Sequence, residues 1–239
     1  MQLELESVDE QKMLENFIID FNIKNRSIIC DTLYGIIRTQ MKCNGCRKTK
    51  YSFQTFNMQI FQLKKLKEDK IKDIGEYYNN DLNLYDCFIY QQKEEYLYGE
   101  NMIYCNTCKG LRDGIHQQSI YALPYVLIII LNRGKNNEDF NEQFDFPEIL
   151  DLSNQGVILN QDSYKKYYLC GVITHLGESS SAGHFIAYCR NNSNDKFLCY
   201  NDAVVSEVNV EDAMSSKISD NDLEKKTPYI LFYHCFEQK

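Results

Sequence analysis

The chain has 239 residues, 44% of them hydrophobic, enough for one large folded unit or two small ones. Its net charge is −8, and no segment carries a surplus of Lys and Arg, so a nucleic-acid-binding face is not expected. Ten cysteines behind an acidic, polar start point to a reducing, intracellular setting, cytoplasmic and/or nuclear, and the longest apolar run, 125–131, is too short to cross a bilayer.

In chain order, Ser7 and Glu10 have capping-box spacing, and Met13, Leu14, Phe17, Ile18 and Phe21 recur at helical intervals behind them, which predicts an amphipathic helix over 8–21. Residues 27–42 read as strands with a bend near Gly35. The alternation of Phe56, Met58 and Ile60 predicts another strand. Residues 64–81 are charged and polar, loop or weak helix. Residues 83–92 fit a short helix capped by Asn83. Strands are expected at 125–131, 167–174, 184–190, 195–201 and 228–234, the last as a central strand because it is nearly all apolar or aromatic. Residues 211–226 read as a charged surface excursion. Helices early and strands late indicate an α+β fold.

Cys43-Asn44-Gly45-Cys46 and Cys105-Asn106-Thr107-Cys108 form two C-x-x-C turns. Zinc takes four soft ligands in a tetrahedron, and two such turns at neighbouring strand ends supply them. Gly45 is expected to permit the tight turn of the first knuckle, and Lys42, Arg47, Lys48 and Lys109 to favour the thiolates. One structural zinc per chain is the expectation; four reduced, unliganded thiols are the alternative. A redox role fits less well, because neither pair leads from a strand into a helix. The remaining cysteines, Cys30, Cys87, Cys170, Cys189, Cys199 and Cys235, stand in apolar or strand contexts and read as filler. His116, His175 and His234 have no evident partner and read as structural.

Residues 184–190 and 195–201 flank Asn191-Asn192-Ser193-Asn194, a four-residue loop with turn chemistry. Closing the hairpin there sets Arg190 opposite Asp195, Tyr188 opposite Phe197, Ile186 opposite Cys199 and His184 opposite Asn201. Opposed residues share a face, so an imidazole and an amide meet at the open end, as a base and its orienting group do in nucleophilic catalysis. An ordinary surface pair is the plainer reading. Gly183 before the histidine allows another backbone to approach closely, and 177–182 form a small polar loop suited to gating a cleft.

With these motifs assembled, the chain resembles the ubiquitin-specific protease family of papain-like cysteine peptidases. The matching residues run from Leu33-Tyr34-Gly35 into Cys43-x-x-Cys46, then Tyr104-Cys105-x-x-Cys108, then Ala122-Leu123-Pro124-Tyr125 through Leu131-Asn132-Arg133. Phe146-Pro147 with Leu150-Asp151-Leu152 follows, then Gly171-Val172-Ile173-x-His175, Gly183-His184-Phe185-x-Ala187-Tyr188, Tyr200-Asn201-Asp202 and 228–233. The resemblance covers roughly 27–235. It implies His184 as general base, Asn201 as the residue that orients the imidazole and Asp202 as its supporting neighbour. It implies a single catalytic domain over 1–239 with a palm and zinc-binding fingers, the fingers inserted at roughly 43–108. The implied reaction is thiol-dependent hydrolysis of the bond after ubiquitin's C-terminal glycine. On chemical grounds the amide oxygen is expected to accept from His184 Nδ1–H, leaving Nε2 for the thiol proton.

The family's nucleophile box, roughly Gly-Asn-Thr-Cys before the first knuckle, has no counterpart here. Cys30 is the one cysteine before Cys43, and it sits in an apolar run read as strand. The N-terminal thumb is therefore expected to be largely missing, and the oxyanion-hole donor with it. Another departure is Gly134 after Arg133, where the family often has an aromatic. A deubiquitinase inactive as this chain alone, a non-catalytic ubiquitin-binding module and an unstable fragment are the competing readings.

Overall fold

The computed structural model describes residues 2–75, 81–134, 144–179, 182–215 and 225–236. The chain divides into two compact units: Met1–Asn57 with Gln92–Pro124 and Gly156–Ser163, and Met58–Gln91 with Tyr125–Gln155 and Tyr164–Lys239.

In the first unit, α1 (Gln2–Asn25) precedes α2 (Ile28–Leu33). The capping-box expectation fails, because the helix begins well before Ser7 and the backbone there is already helical. Glu10 instead pairs with Arg38 at 2.8 Å. Phe17 packs against Phe53 of β2 (Thr49–Phe56) and Phe21 against Tyr34 just before β1 (Gly35–Cys43), and Leu14 is buried, whereas Met13 of the predicted stripe is exposed. The strand expected from residue 27 starts only at Gly35. Residues 28–33 are helical, because the Ser27 hydroxyl accepts from Cys30 N–H and supplies a cap that outweighs the β-branched isoleucines.

A four-stranded sheet of order β2-β1-β7-β4 follows, from β1 (Gly35–Cys43), β2 (Thr49–Phe56), β4 (Glu95–Leu97) and β7 (Gly114–Ala122). A two-stranded ribbon joins β5 (Ile103–Cys105) to β6 (Gly110–Arg112). Gly35 allows a close approach: a Cβ there would lie 2.4 Å from the Phe56 ring and 2.7 Å from Ala122 O.

The second unit is built on an eight-stranded sheet. Its main path runs β13 (Val204–Val208), β12 (Phe197–Asn201), β11 (Ala182–Arg190), β10 (Lys166–Ser179), β14 (Lys226–Cys235), β8 (Val126–Asn132), β3 (Gln59–Gln62), and β9 (Ile149–Asp151) pairs with β10. The alternation expected across Phe56, Met58 and Ile60 is split. Phe56 ends β2, and Ile60 lies in β3 (Gln59–Gln62), parallel to β8 (Val126–Asn132). The central place expected for the C-terminal strand is observed: β14 (Lys226–Cys235) lies between β8 and β10 (Lys166–Ser179). Leu127, Ile129, Leu131, Leu231 and Tyr233 are fully buried on this sheet. Tyr233 donates its hydroxyl to Pro147 O at 2.5 Å.

Against the sheet's end, α3 (Leu63–Ile74) takes up the segment read as loop or weak helix; the 76–80 part of that reading lies outside the described residues. Then comes α4 (Leu84–Gln91), where Asn83 caps as expected. Asp86 N–H donates to Asn83 Oδ1 at 3.0 Å, and Asp86 Oδ2 accepts from Asn83 N–H at 3.1 Å. β11 (Ala182–Arg190), β12 (Phe197–Asn201) and β13 (Val204–Val208) form the other end of the sheet, and β13 was missed from sequence. Part of the loop read at 177–182 and most of the excursion read at 211–226 lie outside the described residues; Val210–Met214 is a short helix. Among the described residues no helix is long and apolar enough to cross a membrane.

Candidate active site and metal centre

The four cysteines of the two knuckles converge in the first unit. Cys43 closes β1 and Cys105 closes β5, and each chain then turns back through its second cysteine. Arg47 (φ 60°) and Lys109 (φ 52°), each following the second cysteine, take left-handed backbone conformations, so the two turns repeat one geometry. This corrects the role given to Gly45. The positive φ falls on Arg47, while Gly45 makes room for Arg112, whose Cδ would lie 3.1 Å from a Cβ.

The four sulfurs lie within 4.8 Å of one another, with Cys43–Cys108 at 3.9 Å and Cys46–Cys105 at 3.6 Å. A zinc tetrahedron with Zn–S near 2.3 Å has edges of about 3.8 Å, so the sulfur set fits. The Cys108 N–H points at Cys105 Sγ at 3.5 Å and, ahead of bonds from the neighbouring thiols, brings Cys105 down to about 6. Hydrogen bonds rather than the flanking bases carry that shift. Burial and shared thiol hydrogen bonds push Cys108 up to about 12. Sulfurs this close do not all ionise without a compensating cation, which is what a metal supplies.

The second constellation lies on the hairpin of β11 and β12. The ladder pairs Arg190 with Phe197, Cys189 with Leu198, Tyr188 with Cys199 and Ala187 with Tyr200. The expected register is therefore wrong by two residues. The loop has four residues but slides by one, to 192–195, because Asn191 N–H donates to Lys196 O at 2.7 Å and Asp195 (φ 61°) takes the left-handed place at the loop's end. A two-residue offset preserves the faces. His184 and Asn201 still meet, on the diagonal rather than squarely opposite, with His184 Nε2 2.8 Å from Asn201 Oδ1.

The nitrogen is the reverse of the expected one. The amide oxygen accepts from Nε2–H, which leaves Nδ1 with the free lone pair. Asp202 begins the two-residue turn between β12 and β13 with φ 52°, and its Oδ1 lies 3.7 Å from Nε2. With its side chain 82% exposed, Asp202 adds only a screened attraction to a protonated ring. Among the described residues His184's hydrogen-bond and ion-pair partners are Asn201 and Asp202, and no cysteine is one of them.

Gly183 holds the predicted close approach. A Cβ there would lie 2.3 Å from the His175 ring atoms Cε1 and Nε2 and from Leu176 O. His175, read from sequence as structural, is 4% exposed and lies edge-on to Phe185 at 4.9 Å. Burial, and then the charge of His184, hold its pKa below the usual histidine value. The glycines at 177 and 183 were the signal that a ring sits between two backbones.

The other candidates separate. Cys199 stands opposite Tyr188, not Ile186. Cys30 lies in the first turn of α2, not in a strand, and is partly exposed. Cys87 and Cys235 are buried filler as read, whereas Cys189 is exposed and Cys170 and Cys199 are half-buried. His116 has a partner, Glu95 at 3.6 Å, and His234 packs against Tyr125 at 4.4 Å.

Residues 5–233 match a family model described as Ubiquitin carboxyl-terminal hydrolase. The chain is 28% identical over 218 residues to ubiquitin carboxyl-terminal hydrolase 9 of Saccharomyces cerevisiae, a match covering 87% of this chain and 26% of that protein. It is 27% identical over 218 residues to ubiquitin carboxyl-terminal hydrolase 25 of Arabidopsis thaliana, covering 89% and 29%. Among solved structures, a chain of the yeast SAGA DUBm with an Sgf73 mutant superposes with a TM-score of 0.65 at 24% identity, over 91% of this chain and 44% of that one, and so shares the fold. The chain spans between a quarter and a half of the length of these relatives.

Proposed function

The chain belongs to the ubiquitin carboxyl-terminal hydrolase family, and from that premise we propose that it carries the base half of a thiol-dependent deubiquitinase site. His184 is the general base and Asn201 its orienting group, with Asp202 supporting. The observation that carries this reading is the 2.8 Å contact from His184 Nε2 to Asn201 Oδ1 in a chain of this family. Holding Nε2–H fixes the tautomer and turns the Nδ1 lone pair outward, ready to take a proton from a thiol. The imidazolium that results stays bonded to Asn201 and is drawn weakly to Asp202. The thiolate would then attack the carbonyl of ubiquitin's C-terminal glycine, and the imidazolium would return the proton to the leaving amine.

In the same reading the single domain over 1–239 divides into a palm around the large sheet and fingers; of the range 43–108 expected for the fingers, 43–57 and 92–108 remain, because β3, α3 and α4 belong to the unit of the large sheet. Cys43, Cys46, Cys105 and Cys108 hold one zinc, the two knuckles capping the fingers. Four protein ligands close the coordination shell, so the metal's part is structural.

Ubiquitin titration tests the proposal. Ubiquitin is expected to shift the NMR signals of His184 and Asn201, and ubiquitin lacking its C-terminal glycines to leave them in place. Undisturbed signals at high micromolar ubiquitin would overturn it. A second reading, a ubiquitin-binding module without catalysis, is favoured by one observation: among the described residues no cysteine is a hydrogen-bond or ion-pair partner of His184. A ubiquitin probe with a thiol-reactive C-terminus separates the two. This chain alone is expected to give no adduct. An adduct abolished by replacing one of its ten cysteines would name the nucleophile instead.

A further inference from the structure

The hairpin that brings His184 to Asn201 has two ways to close. A loop over 191–194 sets Arg190 opposite Asp195, and a loop over 192–195 sets it opposite Phe197. The two ladders differ by two residues, so both keep His184, Ile186, Tyr188 and Arg190 on one face. Hydrophobic alternation therefore does not choose between them. The chain adopts the second. The choice matters at the open end, because it moves Asn201 two residues along the strand relative to His184 and makes their contact a diagonal one.

We propose that Arg190 is a positioning residue that selects this register and so sets where Asn201 meets His184. Its side chain is 8% exposed. Nε donates to Leu169 O of β10 at 2.9 Å, Nη2 donates to Glu148 Oε1 ahead of β9, and Nη1 donates to Asp195 Oδ1 in the loop. The guanidinium lies over the Phe197 ring at 5.0 Å, and Phe197 is fully buried. The slipped register would carry Phe197 to a place opposite Tyr188, out from beneath the guanidinium, and would draw Asp195 from its left-handed loop position into the ladder. An arginine buried this far stays charged, so a register that leaves its forked donors unmatched strands a buried charge, and the register that matches them prevails. From Arg190 and Phe197 the same face runs through Tyr188 and Cys199 to Ile186, then to Asn201 and His184.

The bearing on catalysis rests on the His184–Asn201 reading proposed above; the register does not, and it is measured without ubiquitin. The experiment is NMR on the intact chain. In the wild type, cross-strand contacts link Tyr188 to Cys199, and His184 shows a protonated Nε2. In Arg190→Lys, which keeps the charge and loses the fork, backbone contacts placing Ile186 squarely opposite Cys199 are expected to appear at the expense of the first set, and the His184 Nε2–H signal to weaken. Lys196→Ala, which breaks the exposed pair between Lys196 of the same hairpin and Glu207 of β13, is expected to keep the wild-type pattern. An unchanged register and ring signal in Arg190→Lys overturns the proposal, as does an equal shift in Lys196→Ala. Should Arg190→Lys fail to fold, Glu148→Gln leaves Arg190 in place, and its register decides by the same criterion.

Discussion

The cysteine cluster and the His184–Asn201 pair are both pairs of short motifs distant in sequence, yet they are assembled by different physics. The cluster is specified by its ligands. Two turns with the same left-handed residue after the second cysteine present four sulfurs at tetrahedral spacing, whatever the register of the sheet around them. The histidine and the asparagine have no such internal constraint. Their meeting depends on the ladder between β11 and β12, so the pair is only as well placed as a strand register. A ligand set is indifferent to strand register; a cross-strand pair keeps its face through an even slip but not its geometry.

The largest expected effect tests the first half of that contrast. Structural zinc contributes an apparent ~10–16 kcal/mol in small knuckles at neutral pH. Cys105→Ser, or removal of metal by a strong chelator, is therefore expected to abolish one bound zinc per chain and to strip hydrogen-exchange protection from the β5–β6 ribbon. Metal analysis and amide exchange read both. A metal-free protein that keeps the ribbon protected would show that the sheet, not the ligand set, holds the cluster together.

Gly183→Ala presses on the second half. The new methyl would lie 2.3 Å from the His175 ring and from Leu176 O, and a backbone oxygen has little room to yield. Overpacking of this kind costs roughly 1–3 kcal/mol, and the upper end is expected here. Urea unfolding measures the loss, and the His184 Nε2–H signal shows whether the strand has moved with it. A neutral substitution would mean that His175 and β11 are not held against each other.

The same contrast explains what the sequence disclosed. Cys43, Cys46, Cys105 and Cys108 were readable because the chemistry of a soft metal fixes both residue type and spacing. His184 and Asn201 were readable as partners because side-chain direction has a period of two, so any even error in register keeps them on one face. The register itself was not readable. Asn191 and Asp195 are both good turn residues, and the choice between them lies with Arg190, Glu148 and Leu169, a tertiary contact. The ring nitrogen facing Asn201, set by the rotation of the imidazole, was not readable either, and the expectation named the other one. Residues 28–33 were lost for a different reason: a cap from Ser27 outweighed local strand preference.

A smaller effect separates position from stability. Asn201 is exposed, so Asn201→Ala is expected to change unfolding free energy by no more than about 0.5 kcal/mol. Removing the Oδ1 acceptor should nonetheless release the imidazole, and 15N NMR is expected to show His184 dividing between its two tautomers. A ring that stays protonated on Nε2 would mean that Asp202, at 3.7 Å, is the group that orients it.

The smallest effect is a pH dependence. His175 is depressed first by burial and then by His184's charge. The folded pKa thus lies below the unfolded value of about 6.5. Between the two values the unfolded chain binds more protons than the folded one, so stability falls as pH drops below about 6.5 and levels off below the folded pKa. Above that window His175 contributes no slope. His175→Gln is expected to flatten this part of the urea-unfolding profile. His184→Gln removes only the second cause and should leave most of the slope. If His184→Gln flattens the profile as fully as His175→Gln, the charge on His184 outweighs burial, and the two imidazoles titrate as a pair.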